Sequence, residues 1–253
     1  MGMDLTRDEA AAQPGRAMRL AAFSRVATGR LDDAAAEIGR IFCPHDLSPL
    51  RGGGDFYARH NCASYDGISI NYVAYGGAVS IDPGCLERFF LLQLPLGGVA
   101  RIRTAAREIA TASGVAASLL SPTLSTRMDW EDDCAQLILL VERRLVEQRA
   151  AALAGKAVQP VEFEPAVDLT RAAGQALQAE MAHLADLAEH LGPGGDLPPL
   201  AAANLRETLL DALLNGQSHG LSAAIEVFAG RADNLPAALR LARDYLDASP
   251  HHF

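Results

Sequence analysis

Few side chains in this sequence have the types and spacings that covalent chemistry needs. The four cysteines, Cys43, Cys62, Cys85 and Cys134, form no CxxC pair. Scattered cysteines without metal or redox spacing read as buried free thiols in a reducing cytosol. No GxSxG occurs, which removes the nucleophile-elbow hydrolases, and no GxxxxGK followed by Ser or Thr occurs, which removes phosphate-loop chemistry. A metal centre needs imidazole and carboxylate ligands converging on one ion, commonly through a His-x-His pair on one strand. The first half of the chain holds only His45 and His60, and the adjacent His251 and His252 point apart if the backbone there is extended. Isolated histidines are more often incidental than ligating, so both central ones are expected to be surface or hydrogen-bonding residues. What remains is non-covalent binding. Gln93 is an isolated amide in the apolar run Phe89 to Leu94, and Arg101 and Arg103 share one face of the following apolar run.

These residues are positioned by a stretch whose hydrophobic period is short. From residue 68 to 141, brief apolar runs are split by turn residues: Ile68 to Tyr75, Val79 to Ile81, Phe89 to Leu94, Val99 to Ile102, Glu108 to Thr111, Val115 to Leu120, Thr126 to Trp130 and Ala135 to Val141. Many short strands at close spacing argue for an all-β sandwich or barrel, and the missing strand–helix alternation disfavours a doubly wound sheet. Helical periods flank this stretch. Leu31, Ala34, Ala35, Ile38 and Phe42 recur at three- and four-residue steps, with Asp32 and Asp33 in the first turn and Pro44 ending the run. Helices are expected over Glu142 to Gly155 with Gly155 as C-cap, over Asp168 to Leu191 with Asp168 as N-cap, and over Leu200 to Asn215, Ser222 to Ala229 and Ala237 to Ala248. The connection GPGGDLPP makes the second and third of these an antiparallel hairpin. Residues 1–30 read as an N-terminal extension.

Bulk properties agree with a folded domain that does not itself grip nucleic acid. Of 253 residues, 49% are apolar, and the net charge is -9; a DNA-binding protein usually carries a basic face. No apolar run reaches the ~18–20 residues of a membrane span. A cytoplasmic protein is expected.

In order and spacing the sequence resembles the XylS branch of the AraC regulators. The resemblance rests on Leu31 to Ala34 followed by Ile41 to Leu47 (IFCPHDL), on Phe89 to Gly98 (FFLLQLPLGG), on Ser121 to Thr123 with Met128 to Trp130, and on Glu142 to Glu147 with Leu153 to Gly155. It continues through Leu213 to His219 and Pro236 to Ala248. About 220 residues are covered. The resemblance implies the α+β class: a cupin-like, jelly-roll β-barrel over residues 31–155 that receives a small effector, followed by a helical dimerisation subdomain over residues 156–232. Residues 233–253 resemble the start of the family's helix-turn-helix domain. DNA contact is then expected only through the units that follow in the family pattern, which this sequence does not include. For several members of this branch the effector is an aromatic acid. The alternative is a cupin-like metal enzyme acting on a small metabolite. No cofactor and no catalytic residue is expected.

Within such a barrel the candidate ligand-binding residues are Tyr72, Gln93, Arg101, Met128 and Trp130. Gln93 offers its amide, Arg101 a bidentate partner for a carboxylate, and the others apolar and aromatic surface. Ordinary readings stand beside these: core packing for Met128 and Trp130, solvation for the arginine. The candidate dimer contacts are Leu177, Met181, Leu184, Leu205, Leu209 and Leu213. Leu205 to Leu214 holds five leucines, more than one narrow stripe on its own barrel needs, so a homodimer packed about a two-fold axis is expected.

Overall fold

The computed structural model describes residues 18–51, 56–105, 107–155 and 160–233. The expected helix Ala237 to Ala248, and the rest of the presumed helix-turn-helix start beyond residue 233, lie outside them.

Among the described residues twelve strands form one antiparallel sheet: β1 Ser24–Thr28, β2 Asp46–Pro49, β3 Ala58–Tyr65, β4 Ile68–Tyr75, β5 Val79–Gly84, β6 Phe89–Gly97, β7 Val99–Thr104, β8 Glu108–Ala112, β9 Ala116–Leu120, β10 Thr126–Trp130, β11 Ala135–Glu142 and β12 Ala166–Asp168. The hydrogen-bonded order runs β1-β3-β4-β11-β6-β9-β8-β7-β10-β5-β2, with β12 added to β9. Inward residues from strands far apart in that order, such as Val26, Val73, Ile81, Leu91 and Met128, meet in one apolar cluster, so the sheet curls round into a barrel. Helix α1, Leu31–Ile41, lies against β1, β2 and β3 and buries Ala34 and Ile38 on its apolar face. It therefore spans the two ends of the sheet.

The chain leaves the barrel through α2, Arg143–Ala154. This helix ends where Gly155 takes φ +64°, a left-handed conformation that costs a residue without Cβ little. Then follow α3 Ala172–Leu191, α4 Pro199–Gly216 and α5 Ser222–Asp233. The α3–α4 hairpin and α2 cover the outer face of β4, β6 and β11, where Ile70, Leu92, Leu94, Leu137 and Leu139 join Leu145, Val146 and Leu210 in a second apolar cluster. The class and architecture are those expected: α+β, a cupin-like barrel with a helical hairpin behind it.

Two expectations need correction. Asp168 does not cap α3. Its Oδ1 accepts from the backbone N and the hydroxyl of Thr170 at 2.9 and 2.6 Å, closing a tight turn after β12, and the helix starts four residues later. That turn tucks so close beneath α3 that a Cβ on Gly174 would stand 2.1 Å from the Asp168 carbonyl oxygen. The six apolar residues taken as dimer contacts are spent within one chain. Leu177, Met181, Leu184, Leu209 and Leu213 are each at most 2% exposed, and Leu205 is partly buried against the same cluster. Within this chain α4 packs against both α3 and α2, which accounts for a wide apolar stripe.

Candidate ligand-binding site

The barrel holds a half-open pocket beneath α1. Ile38 of α1 and Phe42, Cys43 and His45 of the segment after it close one side. Val73 and Tyr75 of β4, Leu91 and Gln93 of β6, Met128 and Trp130 of β10, and Ile138 of β11 form the other. Strand pairing dictates this set. Ile138 lies opposite Gln93, Met128 opposite Ile81 and Ile102, and residues opposite one another across antiparallel strands share a face. The free space is about 40 Å³, room for a few waters and less than the roughly 150 Å³ in which a benzene ring fits.

Of the five residues singled out from sequence, the structure brings together Gln93, Met128 and Trp130. Tyr72 is not with them. On β4 it alternates with Val73 and joins Ile70 and Ala74 under the helices, because successive side chains of a strand point to opposite faces. Arg101 is also misplaced by the sequence reading. On β7 the inward residues are Ala100 and Ile102, both 0% exposed, while Arg101 and Arg103 face outward. Arg103 there meets Glu108 at 3.0 Å and Asp129 at 2.8 Å.

The polar atoms of the interior fall into three groups. Gln93 is satisfied: its Oε1 accepts from the Ser118 hydroxyl at 2.9 Å, and its Nε2 donates to the Met128 sulfur at 3.3 Å. His60, on β3 opposite Val73, donates from Nε2 to Asn71 Oδ1 at 2.9 Å. Asn71 in turn donates to Ser69 and to the Ile138 carbonyl. Burial pushes His60 down to about 4 against the upward pull of that hydrogen bond, so the ring is neutral. Phe42 stacks on it, centroids 5.1 Å apart and planes within 6°. In the third group are buried atoms without a partner. Trp130 Nε1 and His45 Nε2 belong to side chains of the cavity wall, and Gln136 Oε1 and His60 Nδ1 to the rest of the interior. Buried polar atoms are nearly always paired, with protein or with water, so these four are the interior atoms still open to a partner.

The segment 42–45 was missed from sequence as part of the wall. Its signal was present in IFCPHDL, an aromatic, a thiol and an imidazole directly after an amphipathic helix. Burial pushes the Cys43 thiol up, which disfavours the nucleophilic thiolate. Tyr75, wholly buried and edge-on to Trp130 with centroids 5.5 Å apart, is likewise held neutral by desolvation. Among the described residues no group of three or more His, Cys, Asp or Glu is placed to hold a metal ion. Among them, too, no helix is long and apolar enough to cross a membrane.

Comparison with known proteins adds a family. Residues 34–215 match the family described as AraC-binding-like domain. Among solved structures, the AraC-like transcriptional activator CuxR superposes with TM-score 0.53 at 13% identity, covering 80% of this chain and 70% of that one. At that identity the likeness speaks for the fold alone. KdgF from Halomonas sp. gives TM-score 0.30 at 14% identity over 39% of this chain and 89% of that one. A cupin superfamily protein from Desulfitobacterium hafniense gives 0.30 at 12% over 37% and 80%. No curated protein matches this chain in sequence at a significant level.

Proposed function

The chain belongs to the AraC-binding-like domain family, and on that premise we propose that it is the effector-sensing and dimerising part of an AraC/XylS-type transcription regulator. In this reading it acts in the cytoplasm and catalyses nothing. The barrel within residues 31–155 admits a small organic molecule. The helices of residues 156–232 carry the response towards a helix-turn-helix domain of the kind the resemblance implies, through which DNA is met. The observation that carries the reading is the cavity itself: an apolar chamber under α1 whose wall leaves polar atoms of Trp130 and His45 unpaired.

The mechanism follows from what closes the chamber. With only about 40 Å³ free, an effector is accommodated by displacing the Phe42–His45 segment, and with it α1. The ligand then binds one arrangement of α1 better than the other, and that difference in affinity is all that shifts the population between them. Strands β4, β6 and β11 carry the chamber on one face and the hairpin on the other, which gives the shift a path to the helices. Since the six apolar residues of the hairpin are used internally, the homodimer contact is assigned to its outer surface, where Leu200 is 74% exposed.

Thermal unfolding of the purified chain against a panel of small metabolites tests the proposal. A true effector raises the melting temperature with concentration, and Ile138→Phe, which fills the chamber, abolishes the rise. A panel without a single stabilising compound, or stabilisation undiminished in Ile138→Phe, refutes it. Sedimentation at micromolar concentration, with Leu200→Asp as the disrupting variant, tests the dimer.

A further inference from the structure

The chamber wall also narrows the chemistry of the ligand, an inference that rests on the effector reading above. Among the described residues no Lys, Arg, Asp or Glu lines it, and the arginines of β7 stand on the opposite face of their strand. A carboxylate placed inside would lose its water and meet no cation. This argues against an aromatic acid.

Two side chains of the wall each hold a buried polar atom without a partner. Trp130 Nε1 is a donor and nothing else. His45 is defined by its other nitrogen: Nδ1 lies 2.9 Å from the Cys43 carbonyl oxygen, which only accepts. The hydrogen therefore sits on Nδ1, and in the neutral ring Nε2 is left as an acceptor without a donor. The remaining wall is apolar and rich in rings, with Phe42, Tyr75 and Trp130 on it, a surface that favours another ring in edge or offset contact. Gln93 already accepts from Ser118 and donates one amide hydrogen to Met128, so it is less in need of a partner than these two atoms.

We propose that the chamber selects an uncharged aromatic of the phenol class, whose hydroxyl group both accepts and donates. It takes the indole hydrogen of Trp130 and gives its own to His45 Nε2, while the ring displaces Phe42 from the chamber. A phenol is neutral at pH 7, as a tyrosine side chain is, whereas a benzoate is ionised there.

Trp130 is the chain's single tryptophan, so its indole N–H gives one resonance in a nitrogen-15 spectrum. The full chain is titrated with p-cresol and, separately, with 4-methylbenzoate, which differ in charge more than in shape. The inference expects p-cresol to move the indole resonance saturably and 4-methylbenzoate to leave it in place. By calorimetry, Trp130→Phe and His45→Phe each weaken p-cresol binding roughly tenfold, the worth of one hydrogen bond, while His45→Gln, which keeps an acceptor, retains most of the affinity. A 4-methylbenzoate shift at lower concentration than that of p-cresol overturns the inference and leaves the effector reading standing. Silence with both compounds overturns it as well. The metabolite panel then tells the two failures apart: a panel member that stabilises the chain but not Ile138→Phe preserves the effector reading, and none doing so removes both.

Discussion

The two faces of strands β4, β6 and β11 are built to different specifications. On the outer face stand Ile68, Ile70, Tyr72 and Ala74, then Phe90, Leu92 and Leu94, then Leu137, Leu139 and Val141, all sealed under helices. On the inner face each strand carries one fully or almost fully buried amide: Asn71, Gln93 and Gln136, at 0%, 1% and 0% exposure. The outer face has no such residue on these strands. Apolar burial between sheet and helices is sufficient to hold the molecule together. The inner amides are desolvated, a cost that hydrogen bonds offset at Asn71 and Gln93 and that Gln136 Oε1 leaves uncompensated.

The comparison breaks most readily at the outer seam. Leu184, 0% exposed, anchors α3 in it, and Leu184→Ala is expected to cost about 2–5 kcal/mol in urea unfolding; a loss below about 1 kcal/mol would mean that the seam is not the main adhesive. Next comes acid. His60 is depressed to about 4 from an ordinary 6.5, so its contribution is fully present above pH 6.5. It falls as the unfolded chain takes up the proton, and is gone below pH 4. The loss is about 3 kcal/mol across that window. His60→Gln keeps a donor for Asn71 but does not titrate, and its stability should be correspondingly flatter between pH 4 and 6.5. If wild type and variant lose stability in parallel, the buried imidazole is not the source.

Smaller effects sharpen the picture. Gln93→Leu strands the Ser118 hydroxyl, bonded to it at 2.9 Å, and should cost about 1–3 kcal/mol. Gln93→Leu with Ser118→Ala should recover much of that, because removing both partners leaves nothing unsatisfied. A double variant as unstable as the single would show that the amide acts through its volume instead. Least is expected of Arg19, which holds the start of the described chain to α3 through Asp186 and Glu189. Arg19→Ala should change stability by under about 1 kcal/mol, and less at high salt, as for other partly exposed ion pairs.

Legibility from sequence followed the same divide. Strands β4 and β10 run over the residues expected, and β5, β6, β7, β8 and β11 extend only one to three residues further, because apolar runs cut by turn residues are a strong signal. Strands β1, β2, β3 and β12 were not foreseen. β3 reads ARHNCASY, with His60, Asn61 and Ser64 breaking the apolar pattern, and β2 ends in Pro49 on the sheet's edge. In the site, Gln93 stood out as an amide among leucines. Alternation separates the two faces of a strand but does not say which is inside, and all of β4 is buried on both. Tyr72 was thus placed on the wrong side, where Val73 and Tyr75 belonged. Which face of β7 turns inward depends on its pairing with β10, a long-range fact that Arg101 alone does not carry.

The sheet's order has two ends, β1 and β2, and it is α1 that lies across both. A ring of strands joined all the way round by backbone hydrogen bonds has a fixed girth, because it can grow only by breaking a ladder. Here the last gap is spanned by side chains of a single helix, and side-chain contacts slide. The circumference of this hoop can therefore be let out a little at one place without unzipping any strand, as a buckle lets out a belt.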